Sequence, residues 1–350
     1  METVFIDGSF GEGGGQVLRT SLTLAAITGK RLHIENIRAN RPKPGLGKQH
    51  LGCVEAAKEI CQAKCAGTKL GSTTLDFEPG EVRAGEYRFD IGSAGSASLV
   101  IQTILPILFC ADPSASLRAG KQSTVTVTGG THNPWAPPYD FLEESFLPAI
   151  GNAGFHAGCR LLKYGFYPAG GGEIVFEIQP GEPQKRKAIE LSDSIIAPKI
   201  FARIYTSRLP VQIAQKQSKL LLCSGLNFEK IEHKNVTESV GAGNCVVLRL
   251  VGQNRTMVFT GFGSKGKPSE KVINEVVTEA RNFLNSGAAI DHYLADQLLI
   301  YMAIQKTGQF LTDELSNHLK TNIEVIKKFL PVDFAVAERE NNFEVVCRAF

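Results

Sequence analysis

The sequence predicts a mixed α/β fold: a large domain of three repeated units, each of two helices on a four-stranded sheet, with a smaller inserted α/β domain. Three observations carry this expectation. One order of helices and strands returns three times; 350 residues exceed one ordinary core; and the stretch between the second and third copies follows a different order.

The first copy opens on a strand-like "TVFIDG" and a helix-like "GGGQVLRTSLTLAAITG". A strand "RLHIENIR", a helix "GKQHLGCVEAAKEICQA" and two strands, "TTLDFEP" and "EYRFDIG", follow. The second runs through "SASLVIQTILPILFCAD", "STVTVTGG", "YDFLEESFLPAIGNAG", "CRLLKYGFYP" and "GEIVFEIQP". The third runs through "HYLADQLLIYMAIQKTG", a short extended "QFLT", "LSNHLKTNIEVIKKFL", "DFAVAERE" and "NFEVVCRAF". Each copy is expected to bury its helices on a mostly antiparallel sheet and share a core with its neighbours. The expected division is 1–186 with 287–350 for the large domain and 187–286 for the insertion. The insertion carries "APKIFARIYT", "VQIAQKQSKLLLCSG", "CVVLRLVGQ", "TMVFTGFG" and an amphipathic "KPSEKVINEVVTEARNFLNSG". It is entered through the polar linker "PGEPQKRK", whose Lys185, Arg186 and Lys187 read as a solvated run.

Composition fits a soluble globular chain, 43% hydrophobic and 21% charged. No uncharged apolar run reaches the roughly 18 residues of a membrane helix. The start, "METVFIDGSFGEGG", has acids and glycines where a signal peptide needs a basic and then an apolar region, so the cytoplasm is the expected location. The eight cysteines are scattered, with no CxxC pair, and read as buried or idle thiols. A net charge of +3 excludes a polycation that coats nucleic acid, so anion recognition must be local. The local candidate is "RANRPKPGLGKQH", where Arg38, Arg41, Lys43 and Lys48 lie near no acid.

The first helix of each copy should be mostly apolar, packed on its sheet and on a neighbouring copy. Its polar exceptions are Glu12, Gln16 and Arg19 in the first copy, Gln102 in the second, and Asp296 and Gln297, preceded by Tyr293, in the third. They either converge on a common cleft or serve as helix-end caps and surface groups. "FGEGGGQ" lacks both the GxxxxGK[ST] and the GxGxxG patterns, so a glycine-rich strand-to-helix turn stands beside a ligand-contact reading. "GSAGSAS" and "PAGGGE" read as tight turns.

His318 borders an apolar stripe of Leu315, Leu319, Ile323, Ile326 and Leu330, with Asn322 one turn on. A neutral imidazole, with a reference pKa of about 6.5, can attack an electrophilic phosphorus covalently; a satisfied structural histidine is the alternative. His50, beside Gln49, can donate to a phosphate alongside Arg38 and Arg41, or simply cap its helix. His33, His156 and His233 have no companion pattern, and His132 and His292 have no assigned role.

Seven long segments in fixed order, "DGSFGEGGGQVLRTSL", "IRANRPKPGLGKQHL", "DIGSAGSASLVIQTILP", "GGTHNPWAPPYDF", "GFYPAGGGE", "YLADQLLIYMA" and "SNHLKTNIEVIKKFLP", together resemble the RNA 3′-terminal phosphate cyclases. The likeness runs nearly end to end. It implies ATP-dependent conversion of an RNA 3′-terminal phosphate to a 2′,3′-cyclic phosphodiester, with a divalent metal, Mg2+ or Mn2+. His318 corresponds to the nucleophile that becomes histidine-bound AMP. The resemblance further implies an adenylate pocket of Gln102, Pro134, Tyr293, Asp296 and Gln297. Arg19, Arg38, Arg41, Gln49 and His50 would hold phosphates and Glu12 would bind the metal; the number of subunits is left open by the sequence, a homodimer being one option. The chain departs from the pattern at His132 and His292, where relatives carry acids. The rival reading is a cyclase-like protein that serves ribosomal RNA processing without adenylylation, a branch expected to lack the histidine. An enolpyruvyl transferase, also built of repeated α/β units, leaves the basic segment unexplained.

Overall fold

The fold is that of a computed structural model, described for residues 2–111, 122–179 and 183–350. It is mixed α/β, with four four-stranded sheets. The first unit comprises β1 (Thr3–Asp7), α1 (Gly15–Thr28), β2 (Arg31–Glu35), α2 (Lys48–Ile60), β3 (Lys64–Ala66) and β4 (Leu75–Glu78). Its strands are ordered β1-β2-β4-β3, the first pair parallel and the other two antiparallel.

The second unit repeats the plan with β5 (Glu86–Asp90), α3 (Ala97–Phe109), β6 (Ser123–Gly129), a helix built of α4 (Tyr139–Phe141), a π turn at Leu142–Phe146 and α5 (Leu147–Asn152), then β7 (Ala157–Lys163) and β8 (Gly172–Ile178). Its order is β5-β6-β8-β7, again with one parallel pair. "EYRFDIG" therefore opens the second unit instead of closing the first. The strand that pairs with β4 is β3, only three residues long and too short to show an alternation.

The chain continues through β9 (Ile189–Leu191), β10 (Lys199–Ser207), α6 (Val211–Leu222), β11 (Phe228–Asn235), β12 (Gly243–Val251), β13 (Thr256–Phe262) and α7 (Ser269–Ser286). It ends with α8 (His292–Gln305), β14 (Thr307–Thr312), α9 (Asn317–Phe329), β15 (Val332–Glu338) and β16 (Phe343–Ala349). Strands β10 to β13 form a sheet of different order, β11-β10-β12-β13. The last sheet is β9-β14-β16-β15, in which β9 runs parallel to β14, so Ile189–Leu191 joins the third unit's sheet rather than that of the segment around it.

Helices hold the units together. α1 packs on α3 and α9, α2 on α3, and α8 on α9. Covered on more than one side, α1 and α3 are apolar nearly all round rather than along one stripe. Each Leu, Ile or Phe they bury contributes about 1.5–3 kcal/mol. Gly29, in the left-handed region at φ 67°, stops α1 where a Cβ would be strained.

The sheet β11-β10-β12-β13 is tied to the second unit by polar contacts: Arg249 Nη1 donates to the partly buried Glu144 at 3.1 and 3.2 Å, and Tyr205 Oη donates to the buried Asp140 at 2.6 Å. The linker's residues 180–182 lie outside the described residues. Arg186 departs from the solvated reading: its guanidinium covers the Phe155 ring at 4.5 Å and donates to the Phe109 carbonyl at 2.8 Å. All eight cysteines are free thiols. Among the described residues no helix is long and apolar enough to cross a membrane.

Candidate active site

The turn between β1 and α1 lies against the first turn of α9. Gly11 and Gly13 take left-handed φ values of 60° and 58°. At Gly11 a side chain would collide with the Thr321 hydroxyl, and at Gly13 with Asn40. The Glu12 amide donates to Thr321 Oγ1 at 3.2 Å, which fixes the turn on α9. A Cβ on Gly14 would sit 2.5 Å from both Glu12 carboxylate oxygens and 2.7 Å from Arg41, and one on Gly15 would meet His50 and Arg19. These glycines keep open a small cradle walled by one acid, two arginines and a histidine.

Ser316 caps α9 by accepting the Leu319 N–H at 3.0 Å, which places His318 in the first helical turn. Its side chain is 47% exposed, and Nδ1 lies 3.3 Å from Glu12 Oε2. Glu12 is 14% exposed; its other oxygen pairs with Arg41. Burial lowers the His318 pKa below the usual imidazole value, and Arg19, Arg41 and His292 add to this against the opposing charge of Asp296. The same environment acts oppositely on Asp296, which burial lifts to about 6 despite His318 and Arg19.

A buried polar chain sets these helices in register. Gln16 Nε2 donates to Thr20 Oγ1 at 3.2 Å, Thr20 donates to Asn322 Oδ1 at 2.6 Å, and Asn322 Nδ2 donates to the Asp296 carbonyl at 2.9 Å. One residue each from α8 and α9 is thus locked to α1. Sequence reasoning singled out Gln16 and noted Asn322 beside His318, but nothing local marked Thr20 as their partner or Thr321 as the acceptor of the Glu12 amide.

The basic segment supplies the opposite wall. Arg38, at φ 56°, donates to the Gly45 carbonyl at 2.7 Å and folds the loop back on itself. Arg19 donates to Gln16 Oε1 at 2.5 Å. Burial, with the charges of Arg19, Arg38 and Arg41, pushes His50 down to about 3, so its ring is neutral and its buried Nδ1 has no hydrogen-bond partner. Gln49 is only partly free for a ligand: its Oε1 accepts the Ser96 N–H at 2.7 Å, which anchors α3 to α2.

The remaining candidates come from α3, α8 and the loop after β6. Gln102 Nε2 and Gln297 Oε1 are buried without hydrogen-bond partners. Pro106 has no N–H to offer the Gln102 carbonyl, which therefore loses its helical partner. Tyr293 is 46% exposed, its ring 4.1 Å from that of His292 and its hydroxyl 3.5 Å from Glu279. Pro134 lies on the loop after β6, where the Asn133 side-chain amide donates to the Ala94 carbonyl. The structure thus brings Glu12, Arg19, Arg41, His50, Asp296 and His318 into one electrostatic cluster, with Arg38 at its edge, while the Pro134 loop meets the 92–96 loop, which Gln49 joins to α2.

The two unassigned histidines are both engaged. His132 is buried, Nδ1 2.9 Å from Thr131 Oγ1 and Nε2 2.8 Å from Asp140, and belongs to the joint with the sheet β11-β10-β12-β13. His292 faces Asp313 at 3.2 Å; burial opposes its charge, yet the hydrogen bond and charge of Asp313 lift it to about 9. No group of three or more His, Cys, Asp or Glu side chains able to hold a metal occurs among the described residues. The metal candidate, Glu12, presents a buried Oε2 that makes no hydrogen bond and has His318 Nδ1 3.3 Å away. One carboxylate beside arginines suits a cation whose other ligands are anionic oxygens of a ligand and water.

The family described as "RTC: RNA 3′-terminal phosphate cyclase" matches residues 10–336. A protein of that description from Pseudomonas fluorescens is 42% identical over 350 residues, 99% of this chain and 98% of its own. One from Koribacter versatilis is 43% identical over 97% of this chain and 94% of its own, and one from Ralstonia nicotianae 42% over 96% and 94%. Among solved structures, an EPSP synthase from Acinetobacter baumannii is 11% identical with a TM-score of 0.34, over 98% of this chain and 64% of that one, a likeness too low to carry an argument.

Proposed function

The chain belongs to the RNA 3′-terminal phosphate cyclase family, and from that premise we propose that it closes RNA 3′-phosphates to 2′,3′-cyclic phosphodiesters, consuming ATP through a histidine-bound AMP on His318. The observation that carries this reading is the pairing of His318 Nδ1 with Glu12 Oε2 beside the arginine cluster. Nδ1 lies 3.3 Å from the carboxylate without a hydrogen bond to it, and in the tautomer that carries its proton on Nδ1 the Nε2 lone pair is left for attack. The lowered pKa keeps the ring neutral at physiological pH.

His318 Nε2 attacks the α-phosphorus of ATP: the N–P bond forms, the bond to pyrophosphate breaks, and the ring becomes cationic. Glu12 stabilises that developing charge, while Arg19, Arg38 and Arg41 hold the phosphate oxygens. A phosphate oxygen of the RNA end then attacks the same phosphorus. The N–P bond breaks, His318 returns to neutral imidazole, and the RNA carries a 3′-pp-5′-A end. Finally the vicinal 2′-OH attacks the 3′-phosphorus, loses its proton and expels AMP. A phosphate monoester lacks a good leaving group; AMP supplies one, and the ribose makes the closure intramolecular.

Neutral His50 can hydrogen-bond a phosphate without competing with the arginines for charge. Tyr293 and Pro134 offer faces for a purine, and the unpartnered Gln102 and Gln297 side chains offer groups for its edge; Asp296 suits the ribose. A divalent cation on Glu12 would neutralise charge on the departing pyrophosphate.

The test is a short RNA with a 3′-phosphate, incubated with the protein and magnesium, with and without ATP. The expected result is an end resistant to phosphatase only when ATP is present. No conversion, or equal conversion without ATP, contradicts the reading.

A further inference from the structure

Two aromatic side chains stand out from the surface beside the loops of the candidate site. Trp135, the single tryptophan of the chain, is 90% exposed, and Tyr167 is 58% exposed. Their ring centroids are 6.5 Å apart at 78°, so the tyrosine edge meets the indole and leaves indole surface open to solvent. Trp135 also has a φ of 63°, a region that bulky residues rarely occupy. Both the backbone and the exposure are unfavourable for an indole with nothing to bind.

The ledge is continuous with the phosphate-binding wall. Asn133, two residues before Trp135, donates to the Ala94 carbonyl, and a Cβ on Gly170, three residues after Tyr167, would lie 2.7 Å from Ala94 Cα. The same 92–96 loop receives Lys48 Nζ on the Gly92 carbonyl at 3.1 Å, and its Ser96 amide binds Gln49, the neighbour of His50. A strand whose terminal phosphate rests on the arginines and His50 therefore has a path along this loop, with Lys48 beside its backbone and the aromatic ledge farther on.

We propose that Trp135, supported by Tyr167, stacks a nucleobase of the RNA upstream of its 3′-terminal ribose. The inference rests on the reaction proposed above and adds a site for the body of the substrate. Base–aromatic stacking tolerates any sequence because every base offers a π face, so the ledge gives affinity for single-stranded ends without selecting a base. A duplex running to its last pair would keep its bases stacked on each other and gain little.

The sole tryptophan makes the test direct. Its emission is followed in the wild-type protein while a short single-stranded RNA with a 3′-phosphate is added without ATP, and separately while ATP is added without RNA. Saturable quenching by RNA and little by ATP is expected. Trp135→Ala should raise the KM for RNA about tenfold with a much smaller change in kcat, lower self-adenylylation by less than cyclisation, and be largely rescued by Trp135→Phe. Absence of quenching by RNA, or a Trp135→Ala effect confined to kcat, overturns the proposal. So does quenching by ATP alone with self-adenylylation and cyclisation lost together, which would place the indole on the adenine. A wild-type protein that fails to self-adenylylate contradicts the proposed reaction, while RNA quenching still decides the ledge.

Discussion

His318 and Glu12, from opposite ends of the chain, meet at 3.3 Å between Nδ1 and Oε2. The contact exists because α1 packs on α9 and because Gly11 lets the turn after β1 reach Thr321. The pair sets an anion beside the imidazole, the ring that becomes positive in the proposed transfer of AMP.

Glu12→Gln should therefore keep the shape and lose the charge. Single-turnover transfer of labelled AMP from ATP to the protein is expected to slow about a hundredfold or more, with the fold intact. A wild-type rate in this variant would remove Glu12 from the reaction.

The lowered pKa of His318 makes a signed prediction. Protonation blocks attack, so self-adenylylation should rise with pH, reach half its plateau below about 6.5 and be flat at neutrality. Arg41 is one of the charges holding that pKa down, so Arg41→Ala should move the midpoint to higher pH. A midpoint above the usual imidazole value in the wild type, or a downward move in the variant, contradicts the assignment.

Asn322→Ala removes the link between Thr20 and the Asp296 carbonyl: the Thr20 hydroxyl proton loses its acceptor and the carbonyl its side-chain donor. The expected cost is about 1–3 kcal/mol, read as a lower urea midpoint, together with slower self-adenylylation as α8 and α9 lose register. Unchanged stability would show that water or another group satisfies these atoms.

Much of this architecture was legible. The long helices and the strands with clear alternation were placed from periodicity, and the triple recurrence stands in three sheets of identical strand order. What escaped was short or polar: β3 and β9 have three residues each, and β11, "FEKIEHKN", is a polar strand at a sheet edge with little apolar pattern. The site divides along the same line. Residue types and the family resemblance picked out Glu12, the arginines and His318, but their meeting depends on α1–α9 packing, which no local spacing encodes. Gln49 illustrates the limit from the other side: a polar residue beside His50 reads as a ligand, yet its carbonyl oxygen serves the N-terminus of α3.

The covalent step is tested most directly by the intact mass of the protein after incubation with ATP and magnesium, followed by peptide mapping under non-acidic conditions. One added AMP on His318, labile to acid and absent from His318→Ala, is predicted. An adduct that persists in His318→Ala, or that maps to a lysine, would contradict the account.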